Sequence, residues 1–199
     1  MNLLEKSRLL QSAGQRVAAA LDFERRWSAA GKVVPVGSAR FGLMTTPNLD
    51  YEIYTDRPTP AAGFAVACAL AAVPGVTGID YRNFLNTDDP GLYWRIDYRD
   101  ADGRAWDIDA WLVSFDHPQA GMAKAFAVAM AAMLTDEMRE RILTVKTAAR
   151  AEGPVRGIDV YKAVIAGGVR TLAEFRAWTA RHPPAKMETW RPQPNLHKS

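Results

Sequence analysis

A glycine–serine turn is the first feature of this sequence with residue types suited to chemistry. The short run Lys32–Val36 ends at Gly37-Ser38, which predicts a strand followed by a tight turn. Glycine lets the backbone approach a phosphate closely, and a serine hydroxyl can donate a hydrogen bond to it. If the turn opens into a helix, backbone N–H groups also point toward the ligand. The segment therefore predicts a site for phosphate oxygens.

Two acidic residues follow this turn after a short loop. Asp50 and Glu52 lie in Leu49–Tyr54, where apolar and polar residues alternate. Alternation of period two predicts a strand, so both carboxylates leave the same face. Two neighbouring anions repel each other unless a cation lies between them, and Mg²⁺ prefers oxygen ligands together with water and substrate phosphates. The turn and the strand together predict a site for Mg²⁺ (or Mn²⁺) and a triphosphate.

A third carboxylate can come from a strand further along the chain. Segment 104–113 forms a predicted hairpin with Leu92–Arg99 around Asp and Gly turn residues. Asp107 and Asp109 share one face of this strand, and apolar residues take the other. If the strand lies beside Asp50, one of the two completes a three-acid cluster, which a two-metal site requires. The spacing alone does not decide whether Asp107 or Asp109 is the third acid.

The order of these motifs resembles the DNA polymerase β-like nucleotidyltransferase superfamily. Segment 37–42 is similar to the glycine–serine turn of its small bacterial members, segment 48–53 to the strand with the first two acids, and segment 108–113 to the strand with the third. The resemblance implies an α+β fold: a mixed β-sheet nucleotidyltransferase core with flanking helices. It also implies transfer of a nucleoside monophosphate from a nucleoside triphosphate to an acceptor oxygen.

The same resemblance implies a role for each candidate residue. The acids expected to bind metal and act in catalysis are Asp50, Glu52 and Asp109. Asp109 would be a metal ligand or the general base, while Gly37 and Ser38 would bind the triphosphate. Arg40 could reach a phosphate or could be a surface arginine beside the turn. Lys146 could extend toward the triphosphate, as basic residues do in related enzymes, or could be an exposed helix lysine.

Each motif also has a simpler structural interpretation. The glycine–serine pair could be an ordinary turn with Ser38 as an N-cap. The paired acids could be the solvated face of an edge strand, and polar alternation on a hairpin is usually a wet face. Because the acids follow the turn so closely, the combination favours the metal–triphosphate hypothesis over coincidence.

The elements that must position these residues form a predicted catalytic core over residues 1–117. An amphipathic stripe predicts helix between Leu3 and Trp27, ahead of the strands. Ala61–Val73 is uniformly apolar and predicts a buried helix ending at a Pro-Gly pair. It contains Cys68, the only cysteine, which is predicted to be a small buried side chain.

A helical module is predicted for residues 118–182. Gln119–Arg150 contains no proline and predicts one long helix or two, and two shorter helices follow. Residues 183–199 contain four prolines and few apolar residues, which predicts an extended tail. The helical module could act as a lid over the site, or as a surface for a protein partner or a second copy of the chain.

Composition limits the classes of partner. The chain has 199 residues, of which 48% are apolar, enough for a well-packed core. A formal net charge of +3 and no basic run make a long nucleic acid a less attractive acceptor, so a small molecule is favoured and an RNA end stays possible. Neither a signal peptide nor an apolar run of about 20 residues is present, which predicts a cytoplasmic protein without a membrane partner.

Two functions are open at this stage. The first is a metal-dependent nucleotidyltransferase that modifies a hydroxyl of a small molecule or a protein. The second is a catalytically weak binding module with the same fold, which acts with a protein partner in an antitoxin-like manner. The clustered acids favour the enzyme.

Overall fold

The computed structural model describes residues 1–184 and 189–192, so the predicted tail lies partly outside the described residues. The chain divides into two compact units. The sheet unit contains Leu10–Arg40 and Thr46–Ala120. The helical unit contains Met1–Leu9, Phe41–Thr45 and the described residues from Gly121 onward. The predicted boundary near residue 117 differs from this division, because Met1–Leu9 and Phe41–Thr45 precede it and yet belong to the helical unit.

One mixed sheet of five strands, in the order β1-β2-β5-β4-β3, forms the centre of the sheet unit. Its strands are β1 (Lys32–Val36), β2 (Asn48–Thr55), β3 (Val76–Asn83), β4 (Leu92–Arg99) and β5 (Ala105–Ser114). Strands β2 and β5 are parallel, and the other three neighbouring pairs are antiparallel. The predicted α+β class with a mixed sheet is confirmed, as is the hairpin of β4 and β5.

The alternation of side chains gives this sheet one apolar and one polar face. On β5, Trp106 and Ile108 are fully buried, whereas Asp107 is exposed. The helices that cover the apolar face are the second half of α1 (Leu3–Ala20), α2 (Phe23–Trp27) and α3 (Pro60–Ala71). Trp94 of β4 contacts Trp27 of α2 and Phe64 of α3, at ring-centroid distances of 5.5 and 5.8 Å. The acids therefore occupy the face that these helices leave open.

The predicted N-terminal helix is two helices. Asp22 has a left-handed backbone with φ of 48°, which ends α1 and starts α2 in a new direction. Asp is one of the few residues that adopt a left-handed backbone readily. The helical spacing of the apolar residues around Asp22 gives no sign that it does so here. The bend lets Phe23 and Trp27 turn toward the sheet, where both are buried.

The predicted burial of Cys68 is wrong. Helix α3 buries Gly63, Val66, Ala67 and Leu70, which lie on one face at helical spacing. Cys68 falls on the opposite face and is exposed. Because nearly every residue of α3 is apolar or small, the sequence carries no amphipathic signal to identify the buried side.

Among its described residues, the helical unit contains the beginning of α1 and four complete helices. They are α4 (Met122–Met133), α5 (Asp136–Arg150), α6 (Gly157–Ile165) and α7 (Leu172–Arg181). The long predicted segment is thus two helices, because Thr135 is an N-cap whose hydroxyl accepts a hydrogen bond from Met138 N. Trp190 packs against Phe126 at 6.2 Å. Within the described residues, no helix has the length and apolarity needed to cross a membrane.

Candidate active site

The register of two parallel strands brings the predicted acids together. Asp50 of β2 lies directly opposite Asp109 of β5, and Glu52 lies opposite Trp111. Side chains of paired residues on adjacent strands share a face, and such strands are about 4.8 Å apart. Strand β2 lies between β1 and β5. The acids of β2 are therefore not on an edge strand.

The glycine–serine turn packs against one of these acids. Gly37 has a φ of 70°, and a Cβ added to it would lie 2.1 Å from Oδ2 of Asp50 and 2.7 Å from its Cγ. Only glycine fits both the backbone conformation and this close approach. Ser38 then begins a single 3₁₀ turn that ends at Phe41. The predicted opening into a helix is therefore shorter than expected, and binding of phosphate at this turn stays a prediction.

Both oxygens of the Asp109 carboxylate accept hydrogen bonds. Asn48 Nδ2 donates to Oδ2 at 2.9 Å, and the Tyr93 hydroxyl donates to Oδ1 at 2.5 Å. Burial raises the pKa of Tyr93, and the hydrogen bond and charge of Asp109 raise it further. The phenol thus stays protonated and serves as a donor. The carboxylate of Asp109 is held from β2 on one side and β4 on the other.

The side chain of Glu52 is partly buried. Burial raises the pKa of Glu52, although a hydrogen bond from the Tyr54 hydroxyl, at 2.5 Å, and the nearby His117 lower it. His117 contacts Asp89 through Nε2 at 3.0 Å. A cation beside this carboxylate would stabilise its charged form and so lower its pKa.

A divalent metal fits this donor set when it is bound together with a triphosphate. No three His, Cys, Asp or Glu side chains in the described part of the chain are close enough to hold an ion unaided. Asp50 and Asp109 nevertheless offer two hard oxygen ligands on adjacent strands. Mg²⁺ is commonly held by one or two carboxylates, with water and phosphate oxygens as its other ligands.

Of the two candidate third acids, the register places Asp109 closer to the turn and to Asp50. Asp107 is exposed and lies opposite Asn48, two residues toward the start of both strands. A two-residue step along a strand is about 6.7 Å. Asp109 therefore lies beside Asp50, and Asp107 is its solvated neighbour.

The two predicted basic residues have other partners. Arg40 is exposed, and its Nη1 donates to the carbonyl of Pro35 at 3.0 Å. Lys146 is 1% exposed, so the interpretation as an exposed helix lysine is wrong. Its Nζ donates to the carbonyl of Leu43 at 2.7 Å and lies 3.4 Å from the Tyr161 hydroxyl. A role toward the triphosphate stays a prediction for both.

Arg40 also lines a cavity of about 530 Å³ together with Tyr51 and Glu24. Tyr51 belongs to the apolar face of β2, so this cavity lies on the side of the sheet away from the acids. Burial raises the pKa of Tyr51 to about 12, and the charges of Glu24 and Asp50 contribute. None of the acids of the candidate site lines this cavity.

Sequence reasoning missed the residues that surround the acids. Tyr93 and Tyr54 carried no signal, because their contacts depend on strand register and on local side-chain direction. Trp111 of β5 lies on the acidic face, where its ring is 4.9 Å from Tyr93 and 5.5 Å from Phe84. Trp94 and Trp106, on the other face, are buried in the apolar core.

Comparison with known proteins identifies similar solved structures. No family model and no curated protein matches the sequence. A mutant of the Cid1 poly(U) polymerase bound to MgATP has a TM-score of 0.54 and 14% identity, over 81% of this chain and 55% of that chain. A cytoplasmic RNA terminal U-transferase has a TM-score of 0.54 and 12% identity, over 82% of this chain and 53% of that chain.

A further structure of the Cid1 poly(U) polymerase has a TM-score of 0.55 and 12% identity, over 82% of this chain and 53% of that chain. The present chain thus spans about half the length of these proteins. The likeness to these solved structures shows that the chain shares their fold.

Proposed function

We propose that this protein is a metal-dependent nucleotidyltransferase, which moves a nucleoside monophosphate from a nucleoside triphosphate to an acceptor hydroxyl. The observation that carries the proposal is the register of β2 and β5. It places Asp50 opposite Asp109, while the Gly37 turn packs against the Asp50 carboxylate. A structural sheet has no need to gather carboxylates beside a turn that excludes every side chain.

Each candidate residue would have a separate role in the reaction. Asp50 and Asp109 would hold the metal, with Glu52 beside them, and the metal would supply charge neutralisation of the triphosphate. Gly37 and Ser38 would bind phosphate oxygens through backbone N–H groups and the serine hydroxyl. Asp109 would accept the proton of the acceptor hydroxyl. The acceptor oxygen attacks the α-phosphorus in line, and pyrophosphate leaves.

The charge of the open face favours a neutral or cationic acceptor. Besides the site acids, Asp80, Asp97 and Asp107 have register partners on this face, and Arg95 forms ion pairs with the first two. A polyanion would be repelled by the remaining carboxylates, because nucleic-acid sites are usually basic. A small molecule with a hydroxyl group is therefore the acceptor we favour.

An RNA end is the second candidate acceptor. Poly(U) polymerase and RNA terminal U-transferase structures have similar folds. The ring of Trp111 near Glu52 could contact a base, since stacking is a common way to hold single-stranded nucleic acid. Transfer to labelled oligonucleotides and to a panel of hydroxyl-bearing small molecules, at matched protein concentration, distinguishes the two.

The thermal stability of the protein tests the nucleotide site before any acceptor is known. Melting is measured with ATP, GTP, CTP and UTP, each with and without Mg²⁺. A triphosphate at about 100 times its Kd adds about 2.7 kcal/mol, or roughly 5–11 °C for a chain of this size. The shift should require both metal and triphosphate and should be lost in Asp50→Asn.

Asp102→Asn is the matched control for the Asp50 variant, because it removes the same charge from the exposed hairpin turn. Asp109→Asn and Asp107→Asn then decide which of the two acids belongs to the site. Of these two variants, Asp109→Asn should lose the triphosphate-dependent shift in melting temperature, and Asp107→Asn should keep it. If no triphosphate stabilises the wild-type protein, the proposed function is wrong, and a non-catalytic module acting with a protein partner becomes the better hypothesis.

A further inference from the structure

The Asp109 carboxylate is held by neutral donors on both neighbouring strands. Strand β5 lies between β2 and β4. Asn48 Nδ2 reaches one oxygen from β2 at 2.9 Å, and the Tyr93 hydroxyl reaches the other from β4 at 2.5 Å. Rotation of the carboxylate about its own bond would break both hydrogen bonds. The pair therefore fixes the plane of the carboxylate relative to Asp50.

These donors leave Asp109 able to bind a further group. An ionised carboxylate has about four lone-pair sites, and the two hydrogen bonds use one on each oxygen. A cation or a substrate proton can still reach the remaining sites. Asn48 and Tyr93 carry no charge while they donate, so they orient the carboxylate without an ion pair that would compete with a metal.

Glu52 has a comparable partner, because the Tyr54 hydroxyl donates to it at 2.5 Å. Two phenols thus donate to two of the three site acids. Tyr93 is anchored in turn by its ring, which packs on Trp111 at 4.9 Å. A donor with a fixed ring is a better orienting group than a mobile one, since less conformational freedom is lost when the hydrogen bond forms.

We propose that Tyr93 and Asn48 are positioning residues for Asp109, and that they set the affinity of the site for a divalent cation bound with a triphosphate. The proposal rests on the proposed function, because it assumes that Asp109 is a metal ligand. Hydrogen-bond partners of metal-ligating carboxylates typically change metal affinity by about 10–100-fold when they are removed. Neither residue would touch the metal or the reacting atoms.

Tyr93→Phe removes the hydroxyl and keeps the ring that packs on Trp111. Tyr81→Phe is its matched control. Tyr81 belongs to the adjacent strand β3, and its ring contacts Phe64 and Trp94 on the apolar face. Asn48→Ala removes the second donor and provides an independent variant. Far-ultraviolet circular dichroism and melting temperature establish that each variant is folded.

The binding of Mn²⁺ to the protein is measured by the enhancement of water-proton relaxation in the presence of the non-hydrolysable analogue α,β-methylene-ATP. A sample of Mn²⁺ and the analogue without protein is the reference, because the analogue itself binds Mn²⁺. We expect Tyr93→Phe and Asn48→Ala each to weaken Mn²⁺ binding by about 10–100-fold, and Tyr81→Phe to change it less than about twofold. This readout does not depend on an acceptor or on turnover.

Wild-type affinity in both Tyr93→Phe and Asn48→Ala would overturn the proposal and leave the nucleotide site intact. An equal loss in Tyr81→Phe would also overturn it, because the effect would then belong to general destabilisation of the sheet. If the wild-type protein binds no Mn²⁺ with the analogue, the proposed function itself fails, and the positioning role fails with it.

Discussion

Replacement of Gly37 by alanine tests how closely the glycine–serine turn and the first acid depend on each other. The backbone of Gly37 has a φ of 70°, and the new Cβ would lie 2.1 Å from Oδ2 of Asp50. Since real Cβ atoms are not found so close to another heavy atom, the turn or the carboxylate must move. We expect the variant to fold and to lose most of its triphosphate binding.

The stability cost of this substitution has two parts. A residue other than glycine in the left-handed region costs roughly 1–2 kcal/mol. For a chain of this size, that corresponds to a fall of roughly 2–8 °C in melting temperature. Movement of Asp50 adds to this cost, but the larger consequence is the displacement of a predicted metal ligand.

Gly103→Ala is the matched control. Gly103 has a φ of 79° in the hairpin turn between β4 and β5, and nothing lies within 4 Å of the position that its Cβ would occupy. The control therefore carries the same backbone penalty without contact with a site residue. Both variants should be destabilised, whereas only Gly37→Ala should lose the response to nucleotide.

The assay is the melting temperature with Mg²⁺ and the triphosphate that stabilises the wild type best. At about 100 times the wild-type Kd, the ligand contributes about 2.7 kcal/mol, or roughly 5–11 °C. A hundredfold weaker Kd would reduce this to about 0.4 kcal/mol, or roughly 1–2 °C. Full retention of the shift in Gly37→Ala, or an equal loss in Gly103→Ala, would refute the proposed contact between turn and acid.

Two further predictions concern the sheet that carries the site. Partial burial raises the pKa of Asp100, but hydrogen bonds from the indole of Trp106 and from the backbone of Arg104 and Asp102 leave it below its ordinary value. Asp100→Ala should therefore cost about 1–3 kcal/mol at pH 7, because the buried Trp106 N–H loses its partner. The difference should shrink as the pH falls below about 4, where the carboxyl of the unfolded wild-type chain begins to bind protons, and it should be lost at the lower pH where the folded-state carboxyl is protonated as well; urea unfolding at several pH values measures it. Gly63→Ala should destabilise by about 1–3 kcal/mol through overpacking, because its Cβ would lie 2.1 Å from the Trp94 ring; a melting temperature equal to that of the wild type would contradict this contact.

Much of the fold could be predicted because local patterns and strand pairing agree. Alternation identified β2 and β5, and the Asp- and Gly-rich turn identified the hairpin of β4 and β5. The three-acid cluster required β5 to lie beside β2, and the register of Asp50 with Asp109 meets this condition. These features depend on a side-chain period that the sequence displays directly.

The remaining features depend on contacts that spacing does not encode. The bend at Asp22 required a left-handed residue in the middle of a helical pattern. The exposure of Cys68 depended on which side of an apolar helix faces the sheet. The burial of Lys146 depends on the carbonyl of Leu43, more than a hundred residues earlier in the chain, which accepts its hydrogen bond. Tyr93 reaches Asp109 only because β4 and β5 pair in one register.

The measurement that tests the central claim most directly is equilibrium dialysis of a ³²P-labelled nucleoside triphosphate against the wild-type protein and Asp50→Asn, with Mg²⁺ and with excess EDTA. The proposed function predicts saturable binding to the wild type that is abolished by EDTA and weakened at least tenfold in Asp50→Asn. Binding that is the same with EDTA, or equal in the two proteins, would contradict a metal–triphosphate site at Asp50.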